Sequence, residues 1–432
     1  MGVSRSVPSM SSHSILVDYE KPLLHEQELE NSKEVTGARQ EQDGASFLRT
    51  CFNGLNALIG VGLLSVPYAL STGGWLGLPL LFIIAMVCFY TGILLQRCMS
   101  TDPSIRSYPD IGELAFGHKG RLFVSVFMYI ELYLVAIGFL ILEGDNLDKL
   151  FPDTSISIGT LSIAGKQLFI ILVALVILPT TWLRSLGVLA YVSATGVLAS
   201  FIVALSVFWA GEVDGVGFRE RGRLINLSGL PTAVGLYTFC YCGHAIFPTL
   251  RNSMKDKAKF SKVLVVCFVI CNAIYGLTAV FGYLMYGEDL KSQVTLNLPV
   301  GKLSSKVAIY TTIFNPFSKY ALTVAPVATA IEERFLALNK IYSTLSVRTL
   351  LLLSTVVIAL VIPFFGQLMA FIGSLLSITV SVLLPCICYI KIFKKPQIPK
   401  VERVLIWVIV VLGCLIAITG TYSSVRQIVD KF

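Results

Sequence analysis

The chain has 432 residues, of which 55% are hydrophobic and only 14% are charged, and its formal net charge at pH 7 is +8. This composition is that of a membrane protein, and it excludes a nucleic-acid-binding protein because the chain offers no soluble basic face. Apolar stretches of about eighteen or more residues recur along nearly the whole length, and each can cross a ~30 Å hydrocarbon core as a helix. The alternating pattern of an outer-membrane barrel is absent.

Residues 1–45 differ in kind from the rest of the chain. They are polar, serine-rich and acidic, and they contain no apolar run that could act as a signal peptide or a membrane span. We expect a disordered cytoplasmic tail here, followed by a transmembrane domain over residues 46–432.

The apolar stretches predict about eleven transmembrane helices, and therefore an all-α membrane protein. Their ranges are 46–71, 74–97, 121–144, 166–183, 187–210, 229–250, 260–287, 303–332, 347–365, 366–391 and 403–426. Lys and Arg are more frequent in the loops that this arrangement places on the same side as the N-terminus. The positive-inside rule therefore predicts a cytoplasmic N-terminus.

The first apolar stretch is interrupted at its centre by Ile59-Gly60-Val61-Gly62, and Pro67 follows. Asn53 and Asn56 lie three residues apart, so they share a helix face, and amides in a lipid-embedded helix should face the protein interior. Glycines alone could serve close helix packing. The combination of amides, two glycines and a proline instead favours an interrupted helix.

A second apolar stretch, from about 230 to 250, is interrupted at Cys240-Tyr241-Cys242-Gly243-His244, and Pro248 follows. Interrupted helices at matching places in two halves of a chain are typical of inverted-repeat secondary transporters, whose substrate site lies at the breaks. An interrupted helix exposes free N–H groups at one new end and free C=O groups at the other. A zwitterionic amino acid needs both kinds of partner.

Three ionisable residues fall near mid-membrane, namely Glu131, His244 and Lys319. Such residues are costly there and are candidates for a function. Glu131 could instead be a buried acid paired with Lys319 or with backbone, and His244 could be a hydrogen-bonded core histidine. Histidine also titrates nearest to physiological pH, which suits a pH gradient between compartments.

Four motifs carry a family resemblance. They are Asn53–Pro67, with its N-x-x-N-x-x-I-G-x-G-x-L-x-x-P pattern, Phe139–Leu147, Phe239–Pro248 and Asn315–Leu322. Together they resemble the amino acid/auxin permease family, and most closely the plant vacuolar amino acid transporters. The resemblance implies a LeuT-like fold with helices 1 and 6 broken, in which 46–210 and 229–391 form five-plus-five inverted repeats and 403–426 is an extra helix. It also implies proton-linked amino acid transport at the vacuolar membrane.

The same resemblance implies a substrate site at the two breaks. Backbone N–H groups near Gly60, Val61, Gly62 and Leu63 would hold the substrate carboxylate. Carbonyls of Asn56 to Ile59 and of Cys240 to Gly243 would take the ammonium group. Selectivity would involve Tyr241 and His244.

Coupling residues follow from the same comparison. In LeuT-like sodium symporters one cation site lies between the first and eighth helices, and the ammonium of Lys319 would replace that sodium. Glu131 or His244 would carry the transported proton.

Other interpretations remain open at this stage. Sodium coupling, or an amino-acid sensor of the same fold, are the alternatives to a proton-coupled transporter, and another endomembrane or the plasma membrane is the alternative location. No nucleophile with a base, cofactor motif or metal-ligand set appears, so we expect no enzyme, no cofactor and no metal. The expected partners are an amino acid, protons and the bilayer, and we expect a monomer that binds no nucleic acid.

Overall fold

The computed structural model describes residues 44–158, 161–182, 189–334, 340–393 and 397–431. The predicted tail therefore lies outside the described residues, except for Gly44 and Ala45. Ala45 is not free: its N–H donates to Ser253 O at 2.7 Å, and its own carbonyl accepts from Lys255 N at 3.1 Å. This short bridge joins the chain before the first helix to the chain after the second break.

The described part of the chain is almost entirely helical. The helices up to residue 212 are α1 (Phe47–Leu58), α2 (Gly62–Gly73), α3 (Gly77–Met99), α4 (Tyr108–Leu150), α5 (Gly165–Thr181) and α6 (Leu189–Glu212). The helices after residue 229 are α7 (Leu230–Cys240), α8 (Phe247–Asn252), α9 (Phe260–Tyr286), α10 (Leu303–Arg334), α11 (Lys340–Val361), α12 (Phe365–Ile392) and α13 (Lys400–Val429). Short 3₁₀ turns occupy Lys257–Lys259, Gly287–Asp289 and Val294–Leu296.

Local capping chemistry sets several helix ends. The Ser46 hydroxyl accepts from Arg49 N at the start of α1, and Ser107 and Asp110 form a capping box at the start of α4. Helix α4 is kinked at Gly117, whose φ of 69° only glycine adopts without strain. The predicted span 121–144 is therefore the middle of a longer, bent helix.

Among the described residues, seven helices are long and apolar enough to cross a membrane, or eight if the bent pair α1 and α2 counts as one span. The three other predicted spans, 166–183, 229–250 and 303–332, are helical but fall short of that test. Helix α5 is only 17 residues long, α7 is cut short by the break, and α10 contains several polar residues. The expectation of a multi-pass membrane protein is confirmed, while the number of eleven transmembrane helices stays a prediction.

A small β-hairpin is an addition to the expected all-α fold. Strands β1 (Ser155–Ile158) and β2 (Leu161–Ala164) pair antiparallel, with Ser155 opposite Ala164. The sequence signal is the alternation of polar and apolar residues over Ser155–Ile158 and again over Leu161, Ser162 and Ile163, which a search for long apolar stretches passes over.

The two interrupted segments lie at the centre of the helix packing. Helix α2 packs against α7 and α9, and α7 packs against α12. In α12, 78% of the most apolar window is buried, against 28% in α13, so α12 is central and α13 is peripheral. Gly235 and Gly373 let α7 and α12 touch, because a Cβ on Gly373 would lie 1.8 Å from Gly235 O.

Candidate substrate and coupling site

The first break spans Ile59 to Val61, between α1 and α2, whose axes are bent by 49°. The glycines on either side of Val61 permit this local departure from the helix. In the part of the chain that the structure describes, the N–H groups of Val61 and Gly62 have no hydrogen-bond acceptor. Together with the dipole of α2, these free donors make an anion site of the kind that suits a carboxylate.

The second break is longer and is closed by turns. It runs from Tyr241 to Ile246, between α7 and α8. The Tyr241 N–H donates to Thr238 O at 3.2 Å, and the Ile246 N–H donates to Gly243 O at 3.0 Å. Like the first break, this one satisfies only part of its backbone, because the N–H groups of Gly243, His244 and Ala245 have no backbone acceptor among the described residues.

The two breaks touch each other. A Cβ on Gly62 would lie 2.7 Å from Cys240 Sγ and 3.2 Å from Cys240 Cα, so only glycine permits this approach. The buried Tyr275 hydroxyl of α9 donates to Leu58 O at 2.6 Å and lies 3.4 Å from Cys240 O. Tyr275 therefore holds the C-terminal ends of α1 and α7 together. Sequence reasoning missed it, because a tyrosine within an apolar span carries no distinguishing signal.

A cavity of about 1350 Å³ lies beside the breaks, between α4 and α10. It reaches the surface beside Arg49, His118 and Arg121, which are exposed residues near the N-terminal ends of α1 and α4. On the other side of the first break, a second cavity has a volume of only about 20 Å³. The site is thus open toward the side on which α1 begins.

The cavity brings together most of the residues that the sequence pointed to. Its lining includes the predicted residues Asn56, Gly60, Val61, Gly62, Cys240, Gly243, Glu131 and Lys319. Ile59, Tyr241 and His244 do not line it. Leu63 lines only the small second cavity, and its N–H donates to Gly60 O at 3.2 Å.

Lys319 reaches the first break from α10. Its Nζ donates to Asn56 O at 3.1 Å, and a Cβ on Gly60 would lie 3.9 Å from the same nitrogen. No carboxylate oxygen among the described residues lies within ion-pair distance of it, so the structure does not contain the Glu131–Lys319 pair considered above. The Asn56 Oδ1 atom is buried and has no donor among the described residues, so it is unsatisfied in this conformation.

Glu131 lies across the cavity in a small polar cluster. Its Oε1 accepts from Ser377 Oγ at 2.6 Å and from Cys242 Sγ at 3.1 Å, and Ser381 Oγ donates to the same sulfur at 3.1 Å. The two serines lie in the π-helical middle of α12, and such wide turns are frequent at functional sites. The carboxyl thus links α4, the second break and α12.

Tyr241 and His244 face away from the cavity. The Tyr241 hydroxyl donates to Asn272 Oδ1 at 2.7 Å, and its ring stacks on Phe268 of α9. His244 Nε2 lies 3.0 Å from Thr91 Oγ1 and 3.1 Å from the carbonyl of Cys88, both on α3. These side chains attach the second break to its neighbouring helices. Asn272 and Thr91 are polar partners that sequence reasoning did not single out.

The arrangement can bind a small zwitterion by backbone and amide groups. Free N–H donors, an unpaired amide oxygen and an ammonium group surround one water-accessible cavity, and a carboxyl lies opposite. No three His, Cys, Asp or Glu residues in the described ranges come together as a metal-binding group.

Comparison with known proteins adds a family match. The chain matches the family described as transmembrane amino acid transporter protein over residues 43–426. Amino acid transporter AVT1J of Arabidopsis thaliana is 52% identical over 394 residues, which cover 90% of this chain and 93% of that protein. Amino acid transporter AVT1I of the same plant is 51% identical over 395 residues, covering 91% and 98%. Amino acid transporter AVT3B is 29% identical over 405 residues, covering 90% and 95%.

Proposed function

The chain belongs to the transmembrane amino acid transporter family, and we propose that it carries amino acids across the vacuolar membrane in a proton-coupled cycle. The family resemblance drawn from the four motifs is confirmed, and the chain is a multi-pass membrane transporter rather than an enzyme. The vacuolar location and the coupling ion are the proposed part. The likeness of the motifs to plant vacuolar amino acid transporters supports both.

One observation carries the proposed substrate site: unpaired N–H groups of Val61 and Gly62 lie beside the unpaired Asn56 Oδ1, at one cavity. The substrate carboxylate binds at the N-terminus of α2, as anions do at helix N-termini. Its ammonium group binds to Asn56 Oδ1 and to carbonyls of the second break, near Cys240 and Gly243. The contact between Gly62 and Cys240 brings the two half-sites within reach of one small molecule.

The paired breaks support a LeuT-like arrangement of inverted repeats, 46–210 and 229–391, with 403–426 as the extra helix. In this arrangement, transport alternates access between the two sides of a fixed central site. The cavity opens on the side where α1 begins. With a cytoplasmic N-terminus, this conformation is the one open to the cytoplasm. A monomer is the proposed oligomeric state.

Lys319 takes the place of a coupling sodium ion in this proposal. Its ammonium bonds to the carbonyl of Asn56 at the end of α1, where a free carbonyl would otherwise attract a cation. A fixed ammonium group leaves no vacancy for sodium. The alternative of sodium-coupled symport is therefore less favoured than proton coupling.

Glu131 is the better-placed proton carrier of the two candidates. It lines the cavity, and it contacts Cys242 in the second break, so its protonation can respond to movement of that break. His244 lies outside the cavity and is bonded to α3 in this conformation. A proton carrier must differ in protonation between the two access states.

Reconstitution into proteoliposomes tests the proposal. Uptake of all common amino acids is measured under imposed pH, voltage and sodium gradients, with liposomes lacking protein as the control. We expect accumulation that follows the pH gradient and is unchanged when sodium is replaced by potassium. Accumulation that requires a sodium gradient would overturn proton coupling, and binding without flux would indicate a sensor. Fluorescent tagging in plant cells locates the protein.

A further inference from the structure

Glu143 is a buried acid that the proposed site does not use. It lies on α4 with no exposed surface, and neither Oε1 nor Oε2 has a hydrogen-bond partner in the described structure. An ionised carboxylate without partners is strongly disfavoured at such a position, because burial removes its hydration and nothing replaces it. Burial without a partner therefore favours the neutral acid in this conformation.

The nearby basic groups are all committed elsewhere. Lys166 of α5 bonds to Asp145 Oδ1 at 2.5 Å and to Pro363 O, and Lys149 donates to the carbonyls of Thr295 and Leu298 at 2.6 Å. Further along the elements packed against α4, the other described charged side chains are Lys306, Lys319 and Glu332 of α10, Arg348 of α11 and Lys391 of α12. Lys319 bonds to Asn56 O, and Arg348 bonds to Glu332. No ion pair among the described residues involves Glu143.

The position of Glu143 along α4 shows on which side of the substrate site it lies. Leu132, Val135 and Phe139 line the cavity from one face of α4. Glu143 follows Phe139 by four residues, so it continues that face about 6 Å beyond the deep end of the cavity. It lies on the closed side of the substrate site.

A cluster of hydrogen-bonded polar side chains lies immediately beyond Glu143. We call Asp145, Asn146, Lys166 and Gln293 the far-side seal. Gln293 accepts from Asn146 Nδ2 at 2.7 Å and donates to Asp145 Oδ2 at 2.8 Å, while Asp145 pairs with Lys166. The seal joins α4, α5 and the segment before α10. Asn146 Oδ1 has no donor either, so three buried oxygens without partners, two on Glu143 and one on Asn146, lie on this part of α4.

We propose that Glu143 binds a proton taken from the compartment beyond the far-side seal, and that this protonation permits the seal to close. The inference rests on the proposed proton-coupled function. When the seal is open, water reaches the carboxylate, which accepts one proton from hydronium and becomes the neutral acid. Only the neutral form can be buried without a partner, so closure requires the proton. No other bond changes in this step.

The test compares two carboxyl-to-amide variants in proteoliposomes. E143Q mimics the protonated acid permanently, so the seal should close without a proton. With an imposed gradient of about one pH unit, one-to-one coupling gives up to about tenfold accumulation. We expect E143Q to keep substrate exchange at equal pH and to lose this accumulation. Its uptake should also no longer depend on the pH of the compartment beyond the far-side seal. E143D should retain a pH profile. E402Q, in a partly exposed pair with Arg97, is the matched control and should behave as wild type.

Infrared spectroscopy of the purified protein gives a readout that does not depend on flux. The wild type should show the carbonyl band of a protonated carboxyl that E143Q lacks. The inference is overturned if that band is unchanged in E143Q, or if folded E143Q accumulates substrate like the wild type. If wild-type accumulation ignores pH, the proposed function fails and this inference fails with it. If the wild type is coupled and E143Q is too, only the role of Glu143 is refuted.

Discussion

The two helix breaks look equivalent in the sequence but do different things in the structure. The first break, Ile59 to Val61, leaves backbone donors unpaired beside the cavity and receives Lys319 from α10. The second break, Tyr241 to Ile246, also leaves backbone N–H groups without a backbone acceptor among the described residues, but it receives no charged side chain of this kind. Its large side chains, Tyr241 and His244, bond to α9 and α3 and do not line the cavity.

The two breaks therefore differ in what they contribute: the first leaves backbone groups free beside the cavity, and the second is held to neighbouring helices by its side chains. A site for a zwitterion needs free polar backbone atoms, which the first break supplies. In the structure, Tyr241 and His244 connect the second break to the neighbouring helices α9 and α3. We therefore expect substitutions at the first break to affect binding and coupling, and substitutions of the attached side chains to affect mainly stability.

The largest effect should come from Lys319→Met. It removes the cation from the first break and leaves the carbonyl of Asn56 without its donor. Removal of a buried charged donor costs about 2–5 kcal/mol, so uptake should fall at least about thirtyfold. Uptake is measured in proteoliposomes with and without sodium, and Lys306→Met, at an exposed position of the same helix, is the control. Full, sodium-independent activity in Lys319→Met would refute the sodium-replacing role.

Glu131→Gln should uncouple flux from pH. The amide keeps the size of the side chain but cannot release a proton, so exchange should continue while pH-driven accumulation falls from about tenfold to about one at a gradient of one pH unit. Ser377→Ala removes one donor to Glu131 and should only shift the pH profile. Substrate binding and folded yield are measured together with flux, because a folding defect would lower all three quantities. Accumulation by Glu131→Gln equal to wild type would exclude this carrier.

The two glycines of the first break should separate binding from packing. A methyl group on Gly60 faces open space except for Lys319 Nζ at 3.9 Å, so Gly60→Ala should fold normally and raise KM about tenfold by obstructing the substrate. The added methyl group of Gly62→Ala would clash with Cys240, and overpacking of this kind costs about 1–3 kcal/mol of stability. Gly62→Val should lose folded protein as well as uptake. Thermal melting and uptake kinetics distinguish the two positions, and an unchanged KM in Gly60→Ala would argue against the proposed approach.

The smallest effects on transport should come from the attached side chains of the second break. Tyr241→Phe loses the bond to Asn272, which costs about 1 kcal/mol of stability. His244→Gln should leave KM and pH coupling within about twofold of wild type. A loss of pH coupling in folded His244→Gln would make this histidine the carrier in place of Glu131, and would show that the second break presents its side chains in another access state.

Sequence reasoning located both breaks and several of the residues that line the cavity, because glycine and proline in an apolar span are strong local signals. It also found the three central ionisable residues, since charge at membrane depth is conspicuous. It did not find Tyr275, Asn272 or Ser377. These residues matter through contacts with distant parts of the chain, which no local pattern reports.

The sequence by itself determined that the chain crosses a membrane, that two of its helices are interrupted, and to which family it belongs. These properties follow from apolar length, glycine placement and motif order, all of which are local. Only the tertiary structure decided that Glu131 bonds to Ser377 rather than to Lys319, that Tyr241 and His244 turn away from the cavity, and that the cavity opens on one side. Those outcomes depend on which faces of separate helices meet, because packing of distant segments fixes where each buried polar group finds its partner.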